Sequence, residues 1–240
     1  VALVAGWRAA YPAGDAALLL PAILGCLAVA SEACAHRRRR RALVHAVLLP
    51  ASPVAGLMGG PVIPVLRALW LAAALLPPVA FAALSAGRGQ FLVLAALAVA
   101  VPALQLLVRP RLAGHLRPAF LAAAVLPLSA LAALPAIGVH AAAAYWLDPL
   151  PAAAKAPTIL AAFAEGRAEM PARDRLAGAA LRVLAGLNGI LVWAVTQDGF
   201  RTGPVLLLLF NAWICVGLER LAGAIATLFL DLAEPTEPQP

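Results

Sequence analysis

The chain has 240 residues, of which 64% are hydrophobic and 12% are charged, and its mean hydropathy is +0.93. Soluble domains are about half apolar and about a quarter charged, so this composition excludes an ordinary soluble fold. The excess is alanine and leucine in long runs, whereas a β-barrel would alternate apolar and polar residues in short segments. The composition therefore predicts an all-α, polytopic transmembrane helix bundle.

The net charge of +7 comes almost entirely from arginine, since Lys155 is the only lysine. In a soluble protein such basicity would suggest a nucleic-acid partner. Here the arginines lie between apolar runs, where the preference of positive residues for the cytoplasmic side of a membrane explains them. We therefore expect no nucleic-acid binding.

The apolar runs predict about seven spans, because a helix needs about 20 apolar residues to cross a bilayer. The transmembrane domain is predicted over residues 1–231, and the acidic, Pro-rich residues 232–240 are predicted to form a disordered tail. Segment 42–60, broken by prolines and glycines, is predicted to lie near the interface. The seven predicted helices are Asp15 to about Ala35, Pro61–Ala86, Gln90–Val108, Pro118 to about Val139, Ala152–Ala164, Leu176–Gln197 and Gly203–Leu230.

The arginines are distributed unevenly between the loops of this predicted topology. Loops 36–60, 109–117 and 165–175 hold most of them, including the run Arg37–Arg41, whereas the intervening loops hold few. Because positive residues accumulate in cytoplasmic loops, these three loops are predicted to lie inside. The N-terminus is then outside and the C-terminus inside.

Two adjacent charges, Glu219 and Arg220, interrupt the longest apolar run. A charge at that depth costs about 2.5–3.5 kcal/mol on insertion scales, so both should face protein or water. Neighbouring helix residues point about 100° apart, so we do not expect the two to neutralise each other side by side. Asn211, two turns earlier, shares about the same face as Glu219. Two interpretations stay open, an ion or proton path and an internal ion pair that fixes helix packing.

No recognised catalytic or metal-binding pattern is present in the sequence. The three cysteines lack the spacing of a zinc or iron–sulfur site, so no metal site is expected. The four histidines are expected at helix ends or in loops, which disfavours bis-histidine haem. No nucleophile–base constellation is found, so the chain alone is not expected to be a catalyst.

Acidic residues surround a proline on the loop after the fifth predicted helix. Residues 164–174 read Ala-Glu-Gly-Arg-Ala-Glu-Met-Pro-Ala-Arg-Asp. A solvated loop and a charged vestibule that docks a partner are both open interpretations. The stretch is similar to an element of a known family, an acid followed by Pro–Phe–Asp and further acids. It keeps the first acid as Glu165, the proline as Pro171 and, one residue late, the aspartate as Asp174.

Two further stretches carry the same likeness. Residues 114–118 are similar to the start of the family's fourth helix and keep Gly114 and Arg117, while Pro127 alone is kept from a Glu–Pro pair. Leu218-Glu219-Arg220 is similar to a Phe–Glu–Asn near the end of the family's seventh helix. The chain thus resembles the NuoH/HycD family, the membrane subunits that dock the peripheral arm in complex I and in group 4 membrane-bound nickel–iron hydrogenases. Both glutamates of the family's fourth helix are absent from this chain.

The resemblance implies a non-catalytic membrane subunit of a multi-subunit redox assembly in the bacterial inner membrane. It implies other membrane subunits, lipids, a peripheral arm and quinone as partners, no cofactor in this chain, and iron–sulfur clusters in partner subunits. A contribution to proton or ion translocation would involve Glu219, Arg220 and Asn211. The inner-loop residues implied in docking are Arg109, Arg111, Arg117, Glu165, Glu169 and Asp174.

Two other functions fit the same residues. A permease subunit or small transporter would also use prolines within spans and a buried Glu–Arg pair, although no inverted repeat is visible. A purely structural assembly subunit is the third hypothesis.

Overall fold

The computed structural model describes residues 6–9, 11, 19–47, 60–146, 150–170, 176–197 and 202–233. Every regular element in these ranges is helical, as the composition predicts. The helices are α1 (Leu19–Val47), α2 (Val62–Ser85), α3 (Arg88–Ala113), α4 (Pro118–Ser129), α5 (Ala133–Trp146), α6 (Ile159–Ala168), α7 (Leu176–Thr196) and α8 (Gly203–Ala233).

Five helical stretches in the described ranges are long and apolar enough to cross a membrane, which makes this a multi-pass membrane protein. Each coincides with one of the seven predicted spans. They are Val62–Ser85, Arg88–Ala113, Pro118–Ala144, Gly178–Thr196 and Gly203–Leu232.

The first predicted helix was given the wrong end. Instead of stopping near Ala35, α1 continues through the arginine run to Val47. Arginine is a good helix former, and its long side chain keeps the charge in water beside an apolar surface, so the run does not end the helix. The first residues of the predicted interfacial segment thus belong to α1, and residues 48–59 lie outside the described ranges.

The fifth predicted helix is not one helix. Residues Ala152–Lys155 form a 3₁₀ turn, and α6 begins only after Thr158, whose hydroxyl accepts a hydrogen bond from the backbone N–H of Ala161. Pro157 precedes this cap and cannot donate a helical hydrogen bond. With ten residues, α6 is about 15 Å long, half of the hydrocarbon thickness.

Side-chain contacts identify two ends of the bundle. Asp231 near the end of α8 contacts Arg38 on α1 and Arg109 near the end of α3, which defines the arginine end. At the opposite end, called the vestibule end, His140 on α5 bonds to Asn211 in the first third of α8. Since α5 ends and α8 begins there, segment 150–197 leaves from and returns to the vestibule end.

Small residues hold this returning segment together. A Cβ on Gly166 of α6 would lie 2.5 Å from the carbonyl oxygen of Ala185, and one on Gly189 of α7 would lie 2.5 Å from that of Ala162. These backbones are too close for any side chain, which is how small residues pack membrane helices. The segment therefore forms a tight hairpin against α8.

Candidate functional site

The last helix carries a buried row of small and polar residues at every fourth position. We call this row the polar stripe, and its members are Asn211, Cys215, Glu219, Gly223, Thr227 and Asp231. All but Asp231 are buried, and the Asp231 side chain is only 17% exposed. Twenty residues of helix rise about 30 Å, the thickness of the hydrocarbon layer. The stripe is therefore as long as the hydrocarbon layer is thick.

Glu219 occupies the middle of the polar stripe and has no solvent exposure. The hydroxyl of Ser129 on α4 donates a hydrogen bond of 3.1 Å to its carboxylate, and the same hydroxyl lies 2.8 Å from the carbonyl oxygen of Leu126. A hydroxyl has one proton, so it donates to only one of these oxygens at a time. If Glu219 is protonated, it can donate to Ser129 while Ser129 donates to Leu126. The pair thus accommodates either state of the carboxyl group.

A proline-induced distortion lies beside Ser129. Pro135 has no N–H with which to bond to the carbonyl of Leu131, so residues Ala130–Ala132 tighten into a 3₁₀ turn between α4 and α5. Ser129 is the last residue of α4 and is 1% exposed. The distortion therefore brings a polar side chain to Glu219 from a helix that is otherwise apolar at this depth.

Arg220 does pair with its neighbour, contrary to the sequence-based expectation. Its Nε lies 3.5 Å from Oε2 of Glu219, because the long side chain bends back along the helix. The geometry is that of an ion pair without a hydrogen bond, and Oε2 has no hydrogen-bond partner among the described residues. Glu32 on α1 lines the same cavity of about 40 Å³ as Arg220. Sequence reasoning missed Glu32, although it is a single acid inside the first predicted span.

Toward the arginine end, the polar stripe is bonded to α3. The amide of Gln105, which is fully buried, donates to the carbonyl of Gly223 at 3.2 Å, and the Thr227 hydroxyl donates to the Gln105 carbonyl at 3.4 Å. One turn further, Arg109 Nη2 lies 2.7 Å from Asp231, which also binds Arg38. Aspartate thus joins α1, α3 and α8 at this end.

Toward the vestibule end, the polar stripe opens on a cavity of about 260 Å³. Its volume is enough for several water molecules. The side chains that give it polar character are Ser85, Gln90, His140, Glu169, Asn188 and Asn211. His140 was expected at a helix end but is buried inside α5, because this helix continues beyond the predicted end at Val139.

An apolar layer separates this cavity from Glu219. Cys215 packs against Leu97 and Val101 of α3, and none of the three exposes more than 3% of its surface. Glu219 follows Asn211 by eight residues, which is about 12 Å of helix. The arrangement is a polar track with one closed apolar section.

The residues predicted to dock a partner do not lie together. Glu169 shares the vestibule cavity with Gln90 near the start of α3, whereas Arg109 is nineteen residues further along that helix, about 28 Å away. Arg109 is 8% exposed and covered by Asp231, while Arg111 and Arg117 are exposed at the arginine end. Glu165 is exposed on α6, and Asp174 lies outside the described residues.

The Glu169 carboxylate is exposed at the rim of the vestibule cavity but is partly shielded from water by nearby protein. This desolvation raises its pKa above the ordinary value. A hydrogen bond from the backbone of Ala152 opposes the rise, and the charge of Glu165 adds to it. The mouth of the cavity therefore holds a carboxyl group that takes up protons more readily than one in water.

Comparison with known protein families, with characterised proteins and with solved structures gave no match.

Proposed function

We propose that this chain is a proton-conducting membrane subunit in which the polar stripe of α8 carries protons between the vestibule cavity and the arginine end. The observation that supports this most is Glu219, a carboxyl group without solvent exposure at the centre of the polar stripe and hydrogen-bonded to Ser129. A charge in hydrocarbon is costly, and intramembrane acids commonly mark proton paths.

The polar groups supply steps of a proton relay. His140 and Asn211 meet water in the vestibule cavity, Ser129 exchanges a hydrogen bond with Glu219, and beyond it come Gln105 and Thr227. The apolar layer at Cys215 prevents a continuous water wire, so passage depends on a local opening there. Asp231 closes the other end by holding two guanidinium groups.

For orientation, we propose that the arginine end is cytoplasmic. It contains the arginine run of α1 together with Arg109, Arg111 and Arg117, whereas the loop between α2 and α3 contains only Arg88 at its edge. α1 then begins outside and α8 ends inside. We propose that α6 and α7 form a re-entrant hairpin, because α6 is only about 15 Å long and Glu169 lies at the vestibule cavity. The spans are then α1, α2, α3, the α4–α5 stretch and α8.

The assembly proposed for this subunit is a redox complex of the bacterial inner membrane, as the resemblance implies. Its iron–sulfur arm would dock at the arginine end, where Arg111 and Arg117 are exposed and without a carboxylate partner among the described residues. Purification in mild detergent should then recover iron–sulfur proteins with the chain. Charge reversal at both arginines should release them, and recovery of the chain without any such partner would contradict this part of the proposal.

A small transporter is the second candidate, favoured by the size of the vestibule cavity. A volume of about 260 Å³ exceeds what a proton and a few waters require. Both candidates are tested by reconstituting the purified chain into vesicles that contain a pH-sensitive dye, under an imposed potassium diffusion potential. Proton conduction predicts acidification or alkalinisation faster than in protein-free vesicles without any added solute. A rate equal to that of empty vesicles would contradict conduction, and a rate that appears only with a transported solute would favour the transporter.

A further inference from the structure

An apolar seam runs between α1 and α2, with α8 behind it. The seam contains two adjoining cavities, of about 100 Å³ and about 40 Å³, which share Leu76 and Leu221. The smaller cavity lies nearer the arginine end. Its walls are mostly apolar and include Ala28 and Val29 from α1 and Leu71 and Ala72 from α2. The charged residues Glu32 and Arg220 also line it.

The seam ends at a cluster of positive side chains. Following α1 by one turn from Glu32 leads to His36, whose Nδ1 lies 3.4 Å from Arg67 of α2. Arg39 and Arg40 are on the next turn of α1, and Arg39 and Arg67 are exposed. The same two helices, α1 and α2, thus provide both the positive side chains and the apolar walls of the seam.

These guanidinium groups are not neutralised by the described part of the chain. None of its carboxylates forms an ion pair with Arg39, Arg40 or Arg67, and Asp231 is already bound by Arg38 and Arg109. Arg39 and Arg40 are adjacent on α1, and Arg67 reaches His36 one turn away. Like charges on neighbouring side chains repel one another, and the repulsion falls when an anion binds. Guanidinium groups match phosphate oxygens in geometry and charge.

We propose that the seam between α1 and α2 binds an anionic phospholipid, with its phosphate at Arg39, Arg40 and Arg67 and one acyl chain along the apolar walls. Basic clusters at the cytoplasmic boundary attract anionic headgroups. A free phosphate would use only the arginines, whereas the adjoining apolar seam provides a place for a chain that is covalently attached to the phosphate. The site adjoins Arg220, which pairs with Glu219, but the binding of a lipid there does not require proton conduction.

The test is native mass spectrometry of the full chain purified in detergent and titrated with phosphatidylglycerol or phosphatidylcholine. We expect retained phosphatidylglycerol, and a loss of affinity of about tenfold or more in Arg40→Gln/Arg67→Gln. The matched control, Arg111→Gln/Arg117→Gln, removes the same charge from the same end and should keep the lipid. Equal loss in both double variants, or equal retention of phosphatidylcholine, would overturn the proposal.

A second pair of measurements separates the lipid from a soluble anion. Ala72→Trp fills the seam without changing the charge and should weaken phosphatidylglycerol binding. If this variant is not monodisperse in detergent, Val29→Phe replaces it and should weaken binding in the same way. Inorganic phosphate in excess should displace little of the lipid. Unchanged binding in the seam variants, or full displacement by inorganic phosphate, would show a general anion site and overturn the assignment of a phospholipid.

Discussion

Ser129 and Glu219 are ninety residues apart in sequence, yet their side chains meet at 3.1 Å in the interior of the bundle. Both are almost completely shielded from solvent. Together with Arg220, the serine compensates the carboxyl group for its lost hydration, whereas an unpaired buried polar group loses its hydration without compensation. This contact connects the proline-distorted α4 to the polar stripe.

Replacement of Ser129 by alanine should therefore lower stability. Loss of one partner of a buried hydrogen bond costs about 1–3 kcal/mol. Ser85→Ala is a matched control, because Ser85 also donates to a helix carbonyl, that of Phe81 at 2.9 Å, but is exposed. Thermal unfolding in detergent should give a lower Tm for Ser129→Ala than for Ser85→Ala. Equal values would mean that Ser129 does not support Glu219.

Asp231→Asn should loosen the arginine end. The aspartate binds Arg38 and Arg109, and the substitution leaves the largely buried Arg109 without its carboxylate. We expect a destabilisation of about 1.5–3 kcal/mol, the usual range for a hydrogen bond to a charged group. A double-mutant cycle with Arg109→Gln measures the coupling, and Arg111→Gln serves as the exposed control. A coupling energy near zero would contradict the ion pair.

Glu169 should make stability depend on pH. Because its pKa is raised in the folded state, the folded protein keeps this proton to a higher pH than the unfolded chain does. Stability is then lost as pH rises from the ordinary carboxyl value of 4.5 through the raised folded value. Glu169→Gln does not ionise, so it should have a higher Tm than the parent at neutral pH and no advantage below pH 4.5.

Glu165→Gln is the comparison for this pH effect. This substitution removes only the repulsion between the two acids, which raises the pKa of Glu169 less than desolvation does. Its increase in Tm at neutral pH should therefore be smaller than that of Glu169→Gln. A Glu169→Gln protein that is less stable than the parent at neutral pH would contradict the expected sign.

The orientation can be tested on a single helix. Arg88 and Arg111 lie near opposite ends of α3, which is about 39 Å long. In a variant without the native cysteines, Arg88→Cys should react with an impermeant reagent from outside and Arg111→Cys from inside. The reverse pattern at both positions would contradict the N-outside orientation and the docking of a cytoplasmic arm at the arginine end.

The sequence predicted the helical class, five helical stretches that qualify as spans, and the charged centre of the polar stripe. Glu219 and Asn211 were accessible to prediction because a polar residue in a long apolar run must face protein or water. The sequence did not predict Ser129, His140 and Gln105 as site residues, because each joins the site through a hydrogen bond to another helix. His140 was also missed because the helix was predicted to end near Val139, whereas it continues to Trp146.

The end of the bundle at which each loop lies was the feature least predictable from the sequence. Counting the segment after Asp148 as a full span placed Glu165 and Glu169 on the same side as Arg109. The structure instead breaks this segment at Pro157 and returns it to the vestibule end. Counting the apolar residues of a segment does not distinguish a short membrane span from a hairpin whose helices pack through Gly166 and Gly189.

The most direct test of the proton path is Glu219→Gln in the vesicle assay, compared with the parent chain and with Arg117→Gln. Glutamine nearly preserves the size and hydrogen bonding of glutamate but cannot exchange a proton, so the variant should fold and insert normally. The account predicts that proton flux falls about tenfold or more in Glu219→Gln, equivalent to at least about 1.4 kcal/mol in the barrier, and is unchanged in Arg117→Gln. Normal flux in a correctly folded Glu219→Gln protein would contradict the account.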